Sequence, residues 1–346
     1  MYRKIIIWKC LVLTLLHLSK INCKCVETYA TICTSLSDVF EHEFEEPLID
    51  LIVQTDTLEG NVPIEELDLA ILIFKFCYAH SISIIGRTIK LTNTVRIYLK
   101  CKIKSLELRD MNVGKLTQYN FPSGTSLQKL SLTNNNIDQI ERNTFTRLGL
   151  EQIDLSKNRI QSLQPSIFPR NLKTAIIKHN QLVYISEETL PASLEILNLA
   201  YNQLSGSLSE AISHLINLQR LSLRHNRLYV FPNITNLVKL EVLDLSHNYI
   251  SSVTLSYFAN LLSLEVLNLD HNQIHTGDFL APLMCRKMLG HRLRIHLSFN
   301  LLKQVDVRRL SSFNCSESKQ RYLTLYGNPW SCSSFTNFEK FMNSVN

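Results

Sequence analysis

Four histidines share one position of a recurring sequence, and they are the residues best suited to chemistry. His179, His225, His247 and His271 each directly precede an asparagine, and the last three stand in consecutive copies of the pattern. A column of imidazoles suits a metal site or an acid-sensitive switch, because imidazole ligates metals and titrates near neutrality. The alternative, which we favour, is that S-H-N is an ordinary exposed turn of the repeat. The sequence therefore predicts no metal site.

Catalytic signatures are absent from the sequence. It contains no G-x-S-x-G, H-E-x-x-H, P-loop or G-x-G-x-x-G motif. Its Ser, His and Asp residues stand at repeat positions that account for them. The formal net charge is +6, and the basic residues are scattered rather than clustered. We therefore predict that the chain is not an enzyme, needs no cofactor and has no nucleic-acid partner.

One template, L-x-x-L-x-L-x-x-N-x-L, recurs through most of the chain. Seven clear copies begin at Leu127 and end with the copy at Leu264, and two looser copies start at Arg292 and Gln320. The template asparagines recur at nearly equal intervals as far as Asn272, and the last two intervals are longer. All the intervals fall within the period of leucine-rich repeats, roughly 20–29 residues. The asparagines are Asn135, Asn158, Asn180, Asn202, Asn226, Asn248, Asn272, Asn300 and Asn328.

The pattern predicts an α/β leucine-rich-repeat solenoid. Each unit contributes a short strand, and no unit buries its apolar face alone, so neighbouring units must stack. We expect a curved horseshoe with a parallel β-sheet on the concave face and an irregular, 3-10 or short-helix convex side. The asparagines should form a ladder whose amides satisfy buried backbone groups. Phe145, Phe168 and Phe258 share one offset on the convex side and are predicted to fill the core.

Four segments follow from this interpretation. Residues 1–23 are typical of a signal peptide, 24–78 of an N-terminal cap, 79–331 of the repeats and 332–346 of a short helical cap. The first two repeats, from Ala79 and Ile103, are degenerate. An uncleaved signal anchor is the alternative for the start of the chain. No later segment predicts a membrane span, and we expect a secreted, extracellular protein that is glycosylated at Asn233 and Asn314.

The cysteines also favour an oxidising compartment. Cys77 and Cys101 stand at equivalent positions, each two residues before the start of its unit, and are predicted to pair across adjacent coils. Cys25 and Cys33 would close a small loop. Near the C-terminus, either Cys285 pairs with Cys315 and leaves a free or intermolecular Cys332, or Cys315 pairs with Cys332. The first alternative allows a disulfide-linked partner. If cleavage precedes Cys23, the cysteine count is even.

The concave face is the predicted site for a protein ligand. Four of its residues are apolar where solvent-facing residues are expected, and polar or aromatic residues surround them, a composition typical of binding hot spots. The alternative is that these apolar residues pack only on their lateral neighbours. The predicted binding residues are Ile176, Lys178, Ile196, Tyr201, Arg220, Arg224, Val242, Val266 and Asp270.

Residues 79 to 346 resemble the extracellular leucine-rich-repeat proteins of animals. The ending NPWSC at 328–332 is similar to the start of that family's cysteine-rich C-terminal cap, although the later cysteines are missing. Within the family, the chain looks most like the leucine-rich immune proteins of insects, the mosquito members included, in a short form without a coiled coil. The resemblance implies a circulating protein that acts with protein partners.

Two classes of function follow. The first is a secreted recognition protein that binds a protein partner, with a role in innate immunity. The second is a structural or adhesive protein of the extracellular matrix. An extracellular enzyme inhibitor would use the same surface as the recognition protein, so the sequence does not separate the two.

Overall fold

The fold was analysed in a computed structural model. It describes residues 103–121, 126–280, 283, 293–303 and 322–331, together with the strand backbones of 25–27, 31–33, 50–55 and 81–86. The chain divides into two compact units. The first comprises Met1–Ile160 and Ser166–Leu172, and the second comprises Gln161–Pro165 and Lys173–Asn346.

The first unit is a stack of short strands. Its strands are Cys25–Glu27 (β1), Thr31–Cys33 (β2), Asp50–Thr55 (β3), Ser81–Gly86 (β4), Ser105–Arg109 (β5), Lys115–Leu116 (β6), Lys129–Ser131 (β7), Gln139–Ile140 (β8) and Gln152–Asp154 (β9). Strand β1 is antiparallel to β2, and from β2 onward the order β2-β3-β4-β5-β7-β9 is parallel throughout. Strands β6 and β8 form a separate parallel pair.

The second unit repeats one strand per coil. Its strands are Thr174–Ile176 (β10), Ile196–Asn198 (β11), Arg220–Ser222 (β12), Val242–Asp244 (β13), Val266–Asn268 (β14), Arg294–His296 (β15) and Tyr322–Thr324 (β16). All are parallel and pair in chain order. Helical structure in the described part of this unit includes α-helix Ser209–Ile212 (α1) and the 3-10 helices Glu187–Thr189 and Leu255–Phe258. Leu280 and Leu283 are also helical.

The template leucines explain this architecture. In the copy at Leu194, residues Leu194, Leu197, Leu199 and Leu204 are all at most 1% exposed, while Ile196 and Asn198 between them are half-buried. This is the period-2 alternation of a strand with one buried face. Each coil leaves its leucines facing the leucines of the next, so burial requires stacking. The predicted leucine-rich-repeat solenoid with a parallel sheet is confirmed.

Phenylalanines fill the return side, as the sequence predicts. Phe145 is fully buried, and its ring centroid lies 5.5 Å from that of Phe121 and 6.4 Å from that of Phe168. In the second unit, the ring of Phe258 lies 5.5 Å from that of Phe231. These contacts are aromatic packing within the core and leave no ring face for a ligand.

The two degenerate repeats are in phase with the clear ones. Ser81 pairs with Ser105, and Ser105 pairs with Lys129, so two successive coils are equal in length. Two parallel strands, β2 and β3, also lie in the segment that the sequence assigns to an N-terminal cap. There Thr31 pairs with Leu51 and Leu51 pairs with Ile82, so many more residues separate the paired positions of β3 and β4 than those of β2 and β3. These unequal steps explain why no period is visible there.

Several predictions fall on other parts of the chain. The backbone register places Cys25 opposite Cys33, but the pairing of their thiols stays a prediction. No helix in the part of the chain that the structure describes is long and apolar enough to cross a membrane. The signal peptide, the C-terminal cap, Asn314 and the other paired-cysteine candidates lie outside the described residues: Cys77, Cys101, Cys285, Cys315 and Cys332.

Candidate functional site

The asparagine ladder fixes the ends of the strands. Asn226 is typical: its Nδ2 donates to the carbonyls of Leu199 and Leu223, both at 3.0 Å, and its Oδ1 accepts the backbone N–H of Leu204 at 3.0 Å. One buried side chain therefore joins its own coil to the preceding one. Equivalent bonds to the preceding coil are made by the amides of Asn135, Asn158, Asn202, Asn248, Asn272, Asn300 and Asn328. Asn180 donates within its own turn to Ile177 and Lys178.

The residue before each ladder asparagine has a left-handed backbone. In the second unit its φ lies between +52° and +57°, and Gly327 at the last position has φ +69°. This conformation lets the chain turn sharply after the strand, and histidine is among the non-glycine residues enriched in it. The affected residues of the second unit are His179, Tyr201, His225, His247, His271 and Phe299.

The rings of these six residues stack on one another in a continuous series, which we call the ring column. Successive centroids are 3.9 to 4.4 Å apart, and the planes of neighbouring rings differ by 11° to 19°. The column ends at Gly327, which has no ring to stack. A Cβ at that position would lie 2.5 Å from Cδ1 of Phe299, so the last ring leaves no room for a side chain. Tyr326 meets the last ring edge-on at 5.0 Å. The column contains the four histidines singled out from the sequence, and Tyr201 and Phe299 complete it.

Stacking changes the acid–base properties of the central histidines. Partial burial, followed by the neighbouring imidazoles of His225 and His271, lowers the pKa of His247 to about 4. The pKa of His225 is also lowered, first by burial and then by the Arg224 guanidinium. Both ring faces are covered by neighbours, so water reaches these imidazoles only at their edges, and the charged form loses solvation.

A shared metal ion does not suit this geometry. The lone pair of a ligating imidazole lies in the ring plane, whereas an ion between two stacked rings would lie above each plane. Among the residues that the structure describes, no group of three or more His, Cys, Asp or Glu side chains lies close enough to hold a metal.

The solvent-facing side of strands β10 to β16 is called the sheet face here. Its register aligns Ile196, Arg220, Val242 and Val266 as direct neighbours on four adjacent strands. The three apolar residues are half-buried and Arg220 is exposed. Ile176 lies in the next row, beside Asn198. The strand register therefore aligns these residues as the repeat pattern predicts.

The remaining predicted binding residues lie at the strand ends. Lys178, Arg224 and Asp270 occupy equivalent positions, are half-buried, and directly precede members of the ring column. Tyr201, 38% exposed, lies in the column itself at the border of the sheet face. The structure therefore brings all nine predicted residues to one side of the second unit, in two groups.

Charged residues flank the strands of the sheet face. Glu195, Glu241 and Glu265 directly precede three strands, whereas Lys178 and Arg224 follow two others. Asp244 and Asp270 already accept hydrogen bonds, from the backbone N–H and hydroxyl of Ser246 and from the backbone N–H of Ser298. The starts of β11, β13 and β14 thus form an acidic edge beside the apolar row, whereas the strand ends carry the cations Lys178 and Arg224 together with the anion Asp270.

Arg224 holds an unused donor within this arrangement. Its Nε is buried and has no hydrogen-bond partner among the described residues. The ion pairs found among the described residues, Arg109–Asp110 and Lys115–Glu141, belong to the first unit and do not involve the sheet face. A buried donor without a partner is uncommon in a folded protein, and here it lies beside an exposed surface.

Comparison with protein families agrees with the repeat assignment. A leucine-rich-repeat model matches residues 101–160, a two-copy leucine-rich-repeat model matches 216–260, and a single-repeat model matches 193–215. Leucine-rich repeats are therefore recognised by sequence in these three segments, and the fold agrees with them.

A curated relative is osteomodulin of Mus musculus. It is 35% identical over 103 residues, which cover 28% of this chain and 23% of osteomodulin. The match thus covers less than a quarter of that protein's length.

Solved structures show the same fold. Toll in the Drosophila Toll–Spatzle complex superposes with a TM-score of 0.63 at 21% identity, over 86% of this chain and 45% of that one. The complex of Latrophilin 3, Unc5D and the leucine-rich-repeat protein FLRT2 gives a TM-score of 0.60 at 18% identity, over 88% of this chain and 91% of the other. At these identities the likeness concerns the solenoid.

Proposed function

We propose that the chain is a secreted recognition protein that binds a protein partner on the sheet face of its second unit, and that it does not catalyse a reaction. The observation that carries this proposal is the row Ile196, Arg220, Val242 and Val266 beside the unpartnered Nε of Arg224. Apolar anchors next to arginine are the composition of binding hot spots. Toll and FLRT2, which have the same fold, were solved in complexes with other proteins.

The charges on the sheet face indicate which charges a partner would carry. Apolar side chains would cover the valines and Ile196, and carboxylates would meet Arg224 and Lys178. An arginine presents a planar fork that a carboxylate can accept bidentately. Basic groups on the partner would face the acidic edge at Glu241 and Glu265. A partner with the opposite polarity would place like charges together, which disfavours binding.

The proposal extends to innate immunity, on the resemblance to insect leucine-rich immune proteins. A recognition protein should occur in body fluid, and its amount should change on immune challenge. A matrix protein would remain with the insoluble fraction, and an inhibitor would purify with one enzyme. Immunoblots of these fractions separate the three functions.

Truncating the row is the direct test of the binding surface. The intact secreted protein is used to capture partners from body fluid, which are identified by mass spectrometry and titrated by calorimetry. Arg220→Ala and Val242→Ala are each expected to weaken the captured complex by roughly tenfold or more, since hot-spot truncation costs over about 1 kcal/mol.

Lys239→Ala is the matched control, because Lys239 is exposed on the return side of the same coil as Arg220. It is expected to leave the dissociation constant unchanged. Equal affinities for all three variants and the parent protein would place the binding surface elsewhere.

Glycosylation at Asn233 is compatible with this surface. Asn233 lies on the return side, where its Oδ1 accepts the Thr235 hydroxyl at 2.7 Å and the Thr235 N–H at 3.1 Å. We predict that enzymatic deglycosylation lowers the mass of the secreted protein, and that Asn233→Gln removes one glycan without changing partner affinity. Thr235→Ser, which preserves the acceptor sequence, should retain the glycan. An unchanged mass in Asn233→Gln would refute the assignment.

A further inference from the structure

The ring column forms a second set of contacts between coils, beside the asparagine ladder. Its residues also donate their backbone N–H groups to the next coil: His225 to Ser246, His247 to Asp270 and His271 to Ser298, each at 2.9 Å. Ring stacking and these backbone bonds therefore connect the same turns. A force that separates the rings acts directly on the strand ends.

Three of the stacked imidazoles are on consecutive coils. The centroids of His225 and His247 are 3.9 Å apart, and those of His247 and His271 are 4.1 Å apart. Neutral imidazoles stack favourably at this distance, in the same way as other aromatic rings. Two charged imidazolium rings so close together repel, and the repulsion is strong because their faces exclude water.

The surrounding charges do not offset that repulsion. Arg224 carries the same sign of charge as protonated His225 and His247 and disfavours their protonation. Lys178 directly precedes His179, and Arg227 follows His225 by two residues. The carboxylate of Asp244 acts in the opposite direction on both imidazoles, but their pKa values stay lowered because burial and the neighbouring cations outweigh it. The oxygens of Asp244 and Asp270 also accept hydrogen bonds from Ser246 and Ser298. The surroundings as a whole therefore disfavour the charged form of His225 and His247.

We propose that the ring column is an acid-sensitive element, stacked when its imidazoles are neutral and opened when neighbouring imidazoles become charged. Opening would separate the strand-end turns of His225, His247 and His271 and displace Arg224, which follows β12 on the sheet face. The change in the chain itself is independent of any ligand. Only its consequence, loss of a bound partner on acidification, rests on the proposed function.

The direction of the pH dependence follows from the lowered pKa values. His247 has a pKa of about 4 in the folded protein, and an unfolded histidine has a pKa of about 6.5. The unfolded chain binds the proton first as the pH falls, so acidification favours unfolding. The stability contribution is complete above about pH 6.5 and is lost as the pH falls toward about 4.

A histidine-specific titration tests the proposal on the unmodified protein. The imidazole Cε1–H shifts are followed by NMR between pH 8 and 4, and hydrogen exchange reports protection of the backbone N–H groups of His225, His247 and His271. We expect His247 to titrate well below 6.5 and protection at the three amides to fall with acidification. Titration of the column near 6.5 with unchanged protection would overturn the proposal.

The double variant His225→Phe/His247→Phe keeps stacked rings but removes two titrating groups. Between pH 7.5 and 4.5, the unfolding equilibrium constant of the parent protein should rise roughly tenfold more than that of the variant. The control is His275→Phe, the same change at an exposed histidine outside the column, and it should retain the parent pH dependence. Identical pH dependence in the double variant and the parent protein would refute the acid-sensitive column, whether or not a partner binds the sheet face.

Discussion

Replacing Phe145 with alanine is expected to lower the free energy of unfolding by about 3–5 kcal/mol, the range for truncating a buried phenylalanine. The side chain is fully buried, and the rings of Phe121 and Phe168 lie against it at 5.5 and 6.4 Å. The backbone N–H of Phe145 donates to Ile167, which restricts how far the chain can collapse into the space. Urea denaturation followed by circular dichroism measures the change.

Two variants in the same unit calibrate this result. Phe145→Leu should cost less, roughly 1–2 kcal/mol, because most of the volume is retained. Tyr119→Ala removes an aromatic ring that is 61% exposed and should change stability by no more than about 0.5 kcal/mol. If Phe145→Ala is as mild as Tyr119→Ala, Phe145 does not hold adjacent coils together.

The strands were predictable wherever the template asparagine is present. The leucines identify the buried positions, and the asparagine marks where each strand must end, so Val242–Asp244 follows from the copy at Leu240. Met111 shows how the pattern degenerates at the end of the ladder. It occupies an asparagine position, is buried, and its backbone N–H still donates to Oδ1 of Asn135 at 2.7 Å.

The strands β2 and β3 were not predictable by the same reasoning. A parallel sheet tolerates connections of different lengths, and here the step from Thr31 to Leu51 is much shorter than the step from Leu51 to Ile82. Sequence periodicity detects equal intervals, so unequal coils escape it even when their strands pair normally. The composition of Asp50–Thr55, with its run of Leu, Ile and Val, is that of a strand but does not identify its neighbours.

The sequence was sufficient to predict the rows of the sheet face but not the complete ring column. A fixed register places equivalent repeat positions side by side, so the row through Ile196 and Arg220 can be read from aligned copies. The ring column depends on a shared left-handed backbone and on rings of three chemical types. Aligned histidines indicated part of it, but Tyr201 and Phe299 join only because their equivalent turns point the rings along one line.

The asparagine ladder gives the other large expected effect, in the variant Asn226→Ala. Removing the amide leaves the backbone N–H of Leu204 without its side-chain partner. The carbonyls of Leu199 and Leu223 each lose one of two amide donors and keep the other, from Asn202 and Asn248. Because an orphaned buried group costs about 1–3 kcal/mol, a loss of that size in the free energy of unfolding is expected. Urea denaturation at pH 7.5, well above the lowered pKa values of His225 and His247, measures it.

Asn260→Ala is the control for this variant, because Asn260 is exposed and lies outside the ladder. It should change stability by no more than about 0.5 kcal/mol. Since each coil contacts only its neighbours, the damage at Asn226 should be local, and hydrogen exchange should rise first at Leu204 and in the adjoining turns. Uniform loss of protection through the second unit would instead mean that the ladder acts as one cooperative element. Equal stability of Asn226→Ala and Asn260→Ala would show that the ladder does not hold these coils in register.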